Sequence, residues 1–449
     1  MRLRNTLLLA LAFVFLGAYL YFIELPRSKK DKSETLLAFK QEDVKSIVFT
    51  YPTQEIHLER QLLGRWMITQ PLRASADAST ISNILSILDT SKIKRTVEEH
   101  PTRADLKAFG LDRPTVRVLI TLKGDQPPLT IRVGGRTPVG KSAYIRRGTQ
   151  PGVLLASASL LSSLKKKLYD FRDKTIITVK DDQVKQLVLN GNKGDFLLVK
   201  KGKAWFIHRP KSYRADQVEI KGMLSTINNM SARSFLKASP SNLRKTGLDR
   251  PRLKVTVSVA DEESQREILF GGKRGTKDEV YLTLGSGETI YTVYESVFKE
   301  LNKDLVALRD KEILPFAKDQ VVQLQIHTSK ESLSFTRRGK KEWTLERPKE
   351  GKLTQSAVTD YLTNLRYLRA KGFADDNPRS TKPYGLASPS VKVVLNSAES
   401  KGLGTLLVGN KTGNDYYAKR AGDPTVFKID AFSYNQLSKR LADFLKKQK

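Results

Sequence analysis

Hydrophobic and polar positions follow one order three times along this chain. Short alternating stretches come first: Val44 to Tyr51 reads VKSIVFTY, and in Glu55 to Arg60 (EIHLER) the apolar Ile56 and Leu58 alternate with polar neighbours. Period-two alternation predicts half-buried strands, and with Trp66 to Thr69 these make a three-stranded meander. Pro71 has no N–H for the ladder and so ends the third strand. The period then changes. Ile81, Ile84, Leu85 and Leu88 recur at helical spacing, as do Ile220, Met223, Leu224 and Ile227, and then Val358, Tyr361, Leu362 and Leu365. Each set predicts an amphipathic helix with its stripe towards a core. Asp77, Asp216 and Thr354, each eleven residues after a tryptophan, are the cap-competent residues at the helix starts.

A short helix follows in the first two copies, capped by Thr102 and Ser241 and stopped by Gly110 and Gly247. Glycine supplies the left-handed residue after a helical turn, and Leu111 or Leu248 can cover the end. Pro114 and Pro251 force an extended exit. In the third copy Pro383 falls inside this segment and Ala387 replaces the aspartate, so a shorter helix or none is expected there. A second strand group comes next: Val116 to Leu122, Leu129 to Val133 and Ala143 to Arg147 in the first copy, with counterparts from Leu253 and from Val391. Each copy closes on a strand and a helix ending in Phe171 to Lys174 (FRDK), Leu308 to Lys311 (LRDK) or Phe444 to Lys447 (FLKK). The recurring Arg–Asp pairs Arg172 with Asp173 and Arg309 with Asp310 suit a structural task at module junctions better than a catalytic dyad.

The copies keep register. The three tryptophans, Trp66, Trp205 and Trp343, stand 139 and 138 residues apart, and each is followed by a proline at Pro71, Pro210 or Pro348. Gly110, Gly247 and Gly385, and then Gly134, Gly271 and Gly409, keep nearly the same steps. One module is therefore used three times. A unit near 137 residues is long enough to fold around its own core, which short solenoid repeats are not. Short strand links with no βαβ crossover predict an α+β fold with antiparallel sheets. The expected modules cover 40–176, 177–314 and 315–449.

Ahead of them, Arg2 and Arg4 precede a run from Asn5 to Ile23 without a charge. At 1.5 Å per residue this run just covers a hydrocarbon core of ~30 Å, and Tyr19, Tyr21 and Phe22 suit an interfacial belt. No small-x-small cleavage site follows, so residues 1–26 are expected to form an uncleaved transmembrane signal-anchor and residues 27–39 a linker. A short basic N-terminus favours placing the large domains outside the cytoplasm, although Arg27, Lys29, Lys30 and Lys32 argue the other way.

Charge and chemistry change this picture little. Lys and Arg total 79 against 47 Asp and Glu, a net charge of +32, which attracts anionic lipid, envelope polymers or nucleic acid. An extracytoplasmic location leaves no nucleic-acid partner expected. The absence of cysteine removes disulfides, thiolate metal sites and cysteine nucleophiles. His57, His100, His208 and His327 share no ligand spacing, so no metal is expected. Gly135 to Ser142 reads GRTPVGKS and satisfies the P-loop pattern through Gly135, Gly140, Lys141 and Ser142. A P-loop needs a helix after the loop, whereas Ser142 runs into the β-type AYIRRG, so a hairpin turn is expected. No cofactor is expected. The tryptophans, each among apolar strand neighbours, read as core anchors.

The ordered set of anchor, W-x-x-x-x-P, amphipathic helix, GL-turn, strand-ending glycine, YI or YL strand and RDK close resembles the family called domain of unknown function 4340. The matching residues are Trp66, Pro71, Gly110, Leu111, Pro114, Gly134, Tyr144 and Arg172 in the first copy. In the second they are Trp205, Pro210, Gly247, Leu248, Pro251, Gly271, Tyr281 and Arg309. The third matches at Trp343, Pro348, Gly385, Leu386, Pro389, Gly409 and Tyr417 but lacks the RDK close. The resemblance implies a non-catalytic auxiliary component of an ABC-type transport system associated with gliding motility, held outside the bacterial inner membrane, in the periplasm, on a single span. It would work with a membrane partner such as a transporter permease. It carries over no catalytic residues. Two other readings stay open: a module that binds anionic lipid or an envelope polymer through its basic surface, and a nucleotide-binding enzyme using Gly135 to Ser142.

Overall fold

The computed structural model describes residues 34–260, 265–285, 287–339, 342–349, 351–399 and 401–446. The span expected over residues 1–26, and the linker as far as residue 33, lie outside the described residues. Among the described residues no helix is long and apolar enough to cross a membrane. The fold is α+β, with three sheets whose strands pair antiparallel, and the chain divides into two units, Met1–Thr175 and Ile176–Lys449.

The first unit holds one nine-stranded sheet. Its strands are β1 Val44–Thr50, β2 Glu55–Arg60, β3 Trp66–Gln70, β4 Ala74–Ser75, β5 Arg95–Glu98, β6 Val116–Leu122, β7 Leu129–Arg136, β8 Ser142–Arg147 and β9 Val153–Ser157. Their order is β4-β3-β2-β1-β6-β7-β8-β9-β5. The expected meander and the second strand group are thus one sheet, because β1 pairs on both sides: Phe49 lies opposite Ile56 of β2 and Val118 of β6. Inward residues of these strands pack with Ile81, Ile84, Leu85 and Leu88 of the helix Ala78–Thr90, all buried. Asp77 caps that helix by accepting from the Thr80 N–H at 2.9 Å. Leu36 and Leu37, expected in the linker, are buried in the same core, and Thr35 bridges Lys92. Two adjacent leucines are too apolar to leave in a solvated linker, since burying each stabilises by about 1.5–3 kcal/mol.

The second unit repeats the plan twice, with a nine-stranded and an eight-stranded sheet. Val184–Gly191 takes the place of β1, between Gly194–Lys201 and Leu253–Val259. Gln323–Thr328 does so again, between Ser332–Arg338 and Val391–Asn396. Leu353 bridges Leu445 in the third module as Ala76 bridges Arg172 and Ala215 bridges Arg309 in the earlier two, while the short strands Ala74–Ser75 and Tyr213–Arg214 just ahead of those bridges have no counterpart in the third sheet. Each module has its own core: Phe171 belongs to the first, Ile176 and Leu308 to the second, Ile313 to the third.

The recurring residues explain the local geometry. Trp66, Trp205 and Trp343 are all buried, and the Gln70–Pro71, Arg209–Pro210 and Arg347–Pro348 peptide bonds are all cis. Gly110, Gly247 and Gly385 have φ of +68°, +68° and +67°, as a helix-ending left-handed residue requires. A Cβ on Gly134, Gly271 or Gly409 would run into the carbonyl oxygen of Phe109, Thr246 or Tyr384, the residue just before that turn glycine. In the first unit the contact is sealed by the Gly135 N–H, which donates to the Phe109 carbonyl at 2.9 Å. The two glycines therefore form one device: the first turns the chain and the second lets the strand pass beneath the turn.

Two expectations need correction. The second short helix, Pro240–Thr246, is capped by Ser239 rather than Ser241, because Pro240 takes the first helical position, where its missing N–H costs nothing. Thr354 stands at its helix start without a side-chain cap bond, and its N–H donates to the Phe444 carbonyl at 2.8 Å. The third module's segment, by contrast, is the shortened one expected, a 3₁₀ turn Lys382–Tyr384 around Pro383.

Gly134→Ala should lower the stability of the first unit by about 1–3 kcal/mol, the usual cost of forcing atoms into a filled site. Gly402→Ala, with open space around it, should leave stability nearly unchanged. Denaturant unfolding of the two variants against the parent chain measures the difference, and equal midpoints would remove the close-approach account.

Candidate functional site

The P-loop-like residues lie on a hairpin. Gly135 is in β7, Gly140 and Lys141 are in the turn, and Ser142 opens β8. The Thr137 N–H donates to the Ser142 carbonyl at 2.9 Å and the Gly140 N–H to the Thr137 carbonyl at 2.7 Å, which closes the turn on itself. The buried Ser142 hydroxyl accepts from the Lys94 ammonium at 3.0 Å. Strand–turn–strand geometry gives no helix N-terminus for a phosphate, and its serine is already engaged. Elsewhere His57 is bonded to Glu55 at 2.9 Å and His327 to Ser332 at 2.9 Å. Among the described residues no three His, Asp or Glu side chains are grouped to hold a metal ion.

A dense polar constellation lies in the second unit, where the second module meets the third. Arg309, from the LRDK close, is 7% exposed. Its guanidinium stacks between the rings of Tyr213, 3.8 Å from the centroid, and Phe373, 3.6 Å from the centroid. It donates to Asp376 Oδ1 at 2.7 Å, and the Tyr213 hydroxyl donates to Asp376 Oδ2 at 2.6 Å. Around this centre Asp310 pairs with Arg214 at 3.2 Å, Glu312 pairs with Arg366, and Arg369 reaches Asp216. Lys311 stands 3.7 Å from the same Asp216 carboxylate, which also caps its own helix through the Val218 N–H at 3.1 Å. The Ala370 N–H donates to the Lys311 carbonyl at 2.8 Å, so backbone and side chains stitch the joint together.

Electrostatics show a settled network. Burial alone would raise the Asp376 carboxyl, but the hydrogen bonds from Tyr213 and Arg309 and the Arg309 charge outweigh it and hold the group below its ordinary range. Tyr213 is pushed up by burial, then by its bond to Asp376 and that group's charge. Asp216, Asp310, Glu312 and Asp376 all face cations, which leaves none of them as a free base. The arrangement holds two modules in one geometry, with the Tyr213 hydroxyl and the Arg309 guanidinium both committed to Asp376.

The sequence pointed to Arg309 and Asp310 at a junction, and the structure places them there. It did not point to Tyr213, Phe373, Asp376 or Arg369. It also missed Gln217 and Gln355, whose side-chain amides mimic a strand residue. Each accepts from the N–H of its tryptophan, at 2.8 and 2.7 Å, and donates to the same residue's carbonyl, at 3.0 and 2.9 Å. Both stand twelve residues after a tryptophan, and Ala78 at that position in the first module hid the pattern.

Three lengths of this chain, residues 66–204, 205–389 and 343–448, match the model of a family described as Domain of unknown function (DUF4340). The chain belongs to the DUF4340 family. The three matched DUF4340 segments begin at Trp66, Trp205 and Trp343, so they are out of phase with the cores, which begin at Leu36, Ile176 and Ile313. No curated protein matches. Among solved structures, the crystal structure of the DNA polymerase sliding clamp from Pseudomonas aeruginosa with ligand aligns over 88% of this chain and 93% of that one, at 7% identity and a TM-score of 0.15. A likeness that weak carries no argument.

Asp376→Asn should destabilise the second unit by about 1–3 kcal/mol, since it leaves Arg309 buried without its charge partner. Because the folded carboxyl titrates below its ordinary value of 3.8, the contribution is complete above that pH and is lost as pH falls through the lower folded value. Thermal melts from pH 7 down to pH 2 should therefore converge for parent and variant at the acid end. A constant difference across that range would refute the assignment.

Proposed function

We propose that this DUF4340 chain is a non-catalytic, membrane-anchored scaffold, an auxiliary component of an ABC-type transport system of the gliding-motility kind, with its modules outside the membrane. The observation that carries the reading is that the recurring residues serve the fold. The tryptophans, the turn glycines and the glycines beneath them anchor strands and close turns, and every carboxylate of the joint around Arg309 faces a cation. Three separately cored modules suit a spacer or platform. The uncharged run from Asn5 to Ile23 is long enough for the single span the reading needs, and a transporter permease is the partner it implies.

Full-length protein extracted in mild detergent should carry with it an integral membrane transporter subunit, identified by mass spectrometry. A chain lacking residues 1–26 should lose most of that subunit and should be washed from membranes by alkaline carbonate. Retention on membranes without residues 1–26 would overturn the anchor. Full-length protein free of any transporter subunit would overturn the transport role.

A further inference from the structure

The first unit's sheet carries a charge pattern that neither the fold nor the scaffold reading uses. Along β6, β7 and β8 the buried Val116, Val118, Ile131, Val133 and Ile145 face the core. Arg117, Arg132 and Arg146 occupy alternate positions and so face the other way. The registers put them side by side: Arg117 is directly opposite Arg132, and Arg132 directly opposite Arg146. At a strand spacing of ~4.8 Å, three guanidinium-bearing positions form a row about 10 Å long.

Like charges directly opposite each other on a sheet are destabilising. Among the described residues no carboxylate pairs with Arg117, Arg132 or Arg146. The acid in the same cross-strand row is Glu55, which lies beyond Thr50 from Arg117 and is bonded to His57 at 2.9 Å. Arg146 donates to the Gln150 carbonyl at 3.3 Å, while its Nε is buried with no hydrogen-bond partner. Burial, then the charges of Arg117 and Arg146, pull Arg132 below the usual guanidinium range. The sister sheets do without the row. The corresponding cross-strand positions are Lys254, Leu269 and Thr283 in the second module and Lys392, Leu407 and Lys419 in the third. The fold therefore does not need three arginines here, and their repulsion goes unrelieved within the chain.

We propose that the Arg117–Arg132–Arg146 row is a binding site for a multivalent phosphate-bearing anion lying across β6, β7 and β8. Guanidinium forks match phosphate oxygens two at a time, and a ligand with charges spread over about 10 Å would relieve all three. The ligand is either a free oligophosphate or the headgroups of anionic lipid. The site does not depend on the scaffold reading, since it needs neither a permease nor a span.

The test uses the full chain in phosphatidylcholine nanodiscs, titrated with inorganic tripolyphosphate at low salt. Binding should be measurable for the parent and weaken as salt rises. It should fall by about tenfold or more in Arg132→Leu combined with Arg146→Thr, the residues of the second module, as expected for lost charge-assisted hydrogen bonds. Without ligand that variant should melt at or above the parent temperature, because the repulsion is gone. Arg132→Gln is the second variant and should show the same loss of binding. Repeating the titration in nanodiscs of phosphatidylcholine and phosphatidylglycerol in equal parts separates the sources. Lipid headgroups in the row would weaken tripolyphosphate binding to the parent, and a free anion as ligand would leave it unchanged. Equal binding by parent and variants, or none by the parent, would overturn the proposal.

Discussion

Each module depends on one backbone contact, the passage of a glycine under a carbonyl. Gly134, Gly271 and Gly409 allow a central strand to run beneath the oxygen of the residue that precedes the turn glycine. That approach fixes the short helical segment against the sheet and sends the chain, through Pro114 and its counterparts, into the next strand. That strand then pairs with the first one, and the sheet becomes continuous. A side chain at the glycine would hold the turn away from the strand and spoil the register of the strands paired beyond it.

Local features were legible in the sequence because they are set by neighbours a few residues apart. The helix stripes, the caps at Asp77 and Asp216, and the left-handed glycines all belong to this kind. The union of both strand groups into one sheet was not legible, because no pattern within a strand says which strand lies beside it. The joint around Arg309 was half legible. A repeated Arg–Asp pair marked the junction, but Asp376 is 67 residues from Arg309 and 163 from Tyr213. Thirty-three residues after the tryptophans stand Glu99, Ala238 and Asp376, so repetition did not single it out. The arginine row was hidden for a different reason. Arg117, Arg132 and Arg146 look like ordinary exposed positions until the registers align them.

The two charge clusters behave in opposite ways. At the joint, every carboxylate meets a cation and an aromatic sandwich shields the central guanidinium, so the cluster is complete in itself. On the first sheet three guanidinium groups share one row with no acid among them. Residues that recur across the modules build the fold, and the arginines that do not recur are the ones left with unspent charge.

The offset between the matched segments and the cores bears on how such chains lengthen. Phe171 closes one core and Ile176 opens the next, with only Arg172 to Thr175 between them. A gene fragment copied from tryptophan to tryptophan would carry the closing half of one core followed by the opening half of another, and would fold neither alone. Residues 34–65 supply the opening half for the first core, and the last segment, 343–448, ends on a closing half. Copied in tandem, a tryptophan-to-tryptophan fragment adds a hybrid core, a closing half joined to the opening half before it, whereas a copy running from within 172–175 to within 309–312 carries the second core intact. Insertions of that kind leave every strand with its partner.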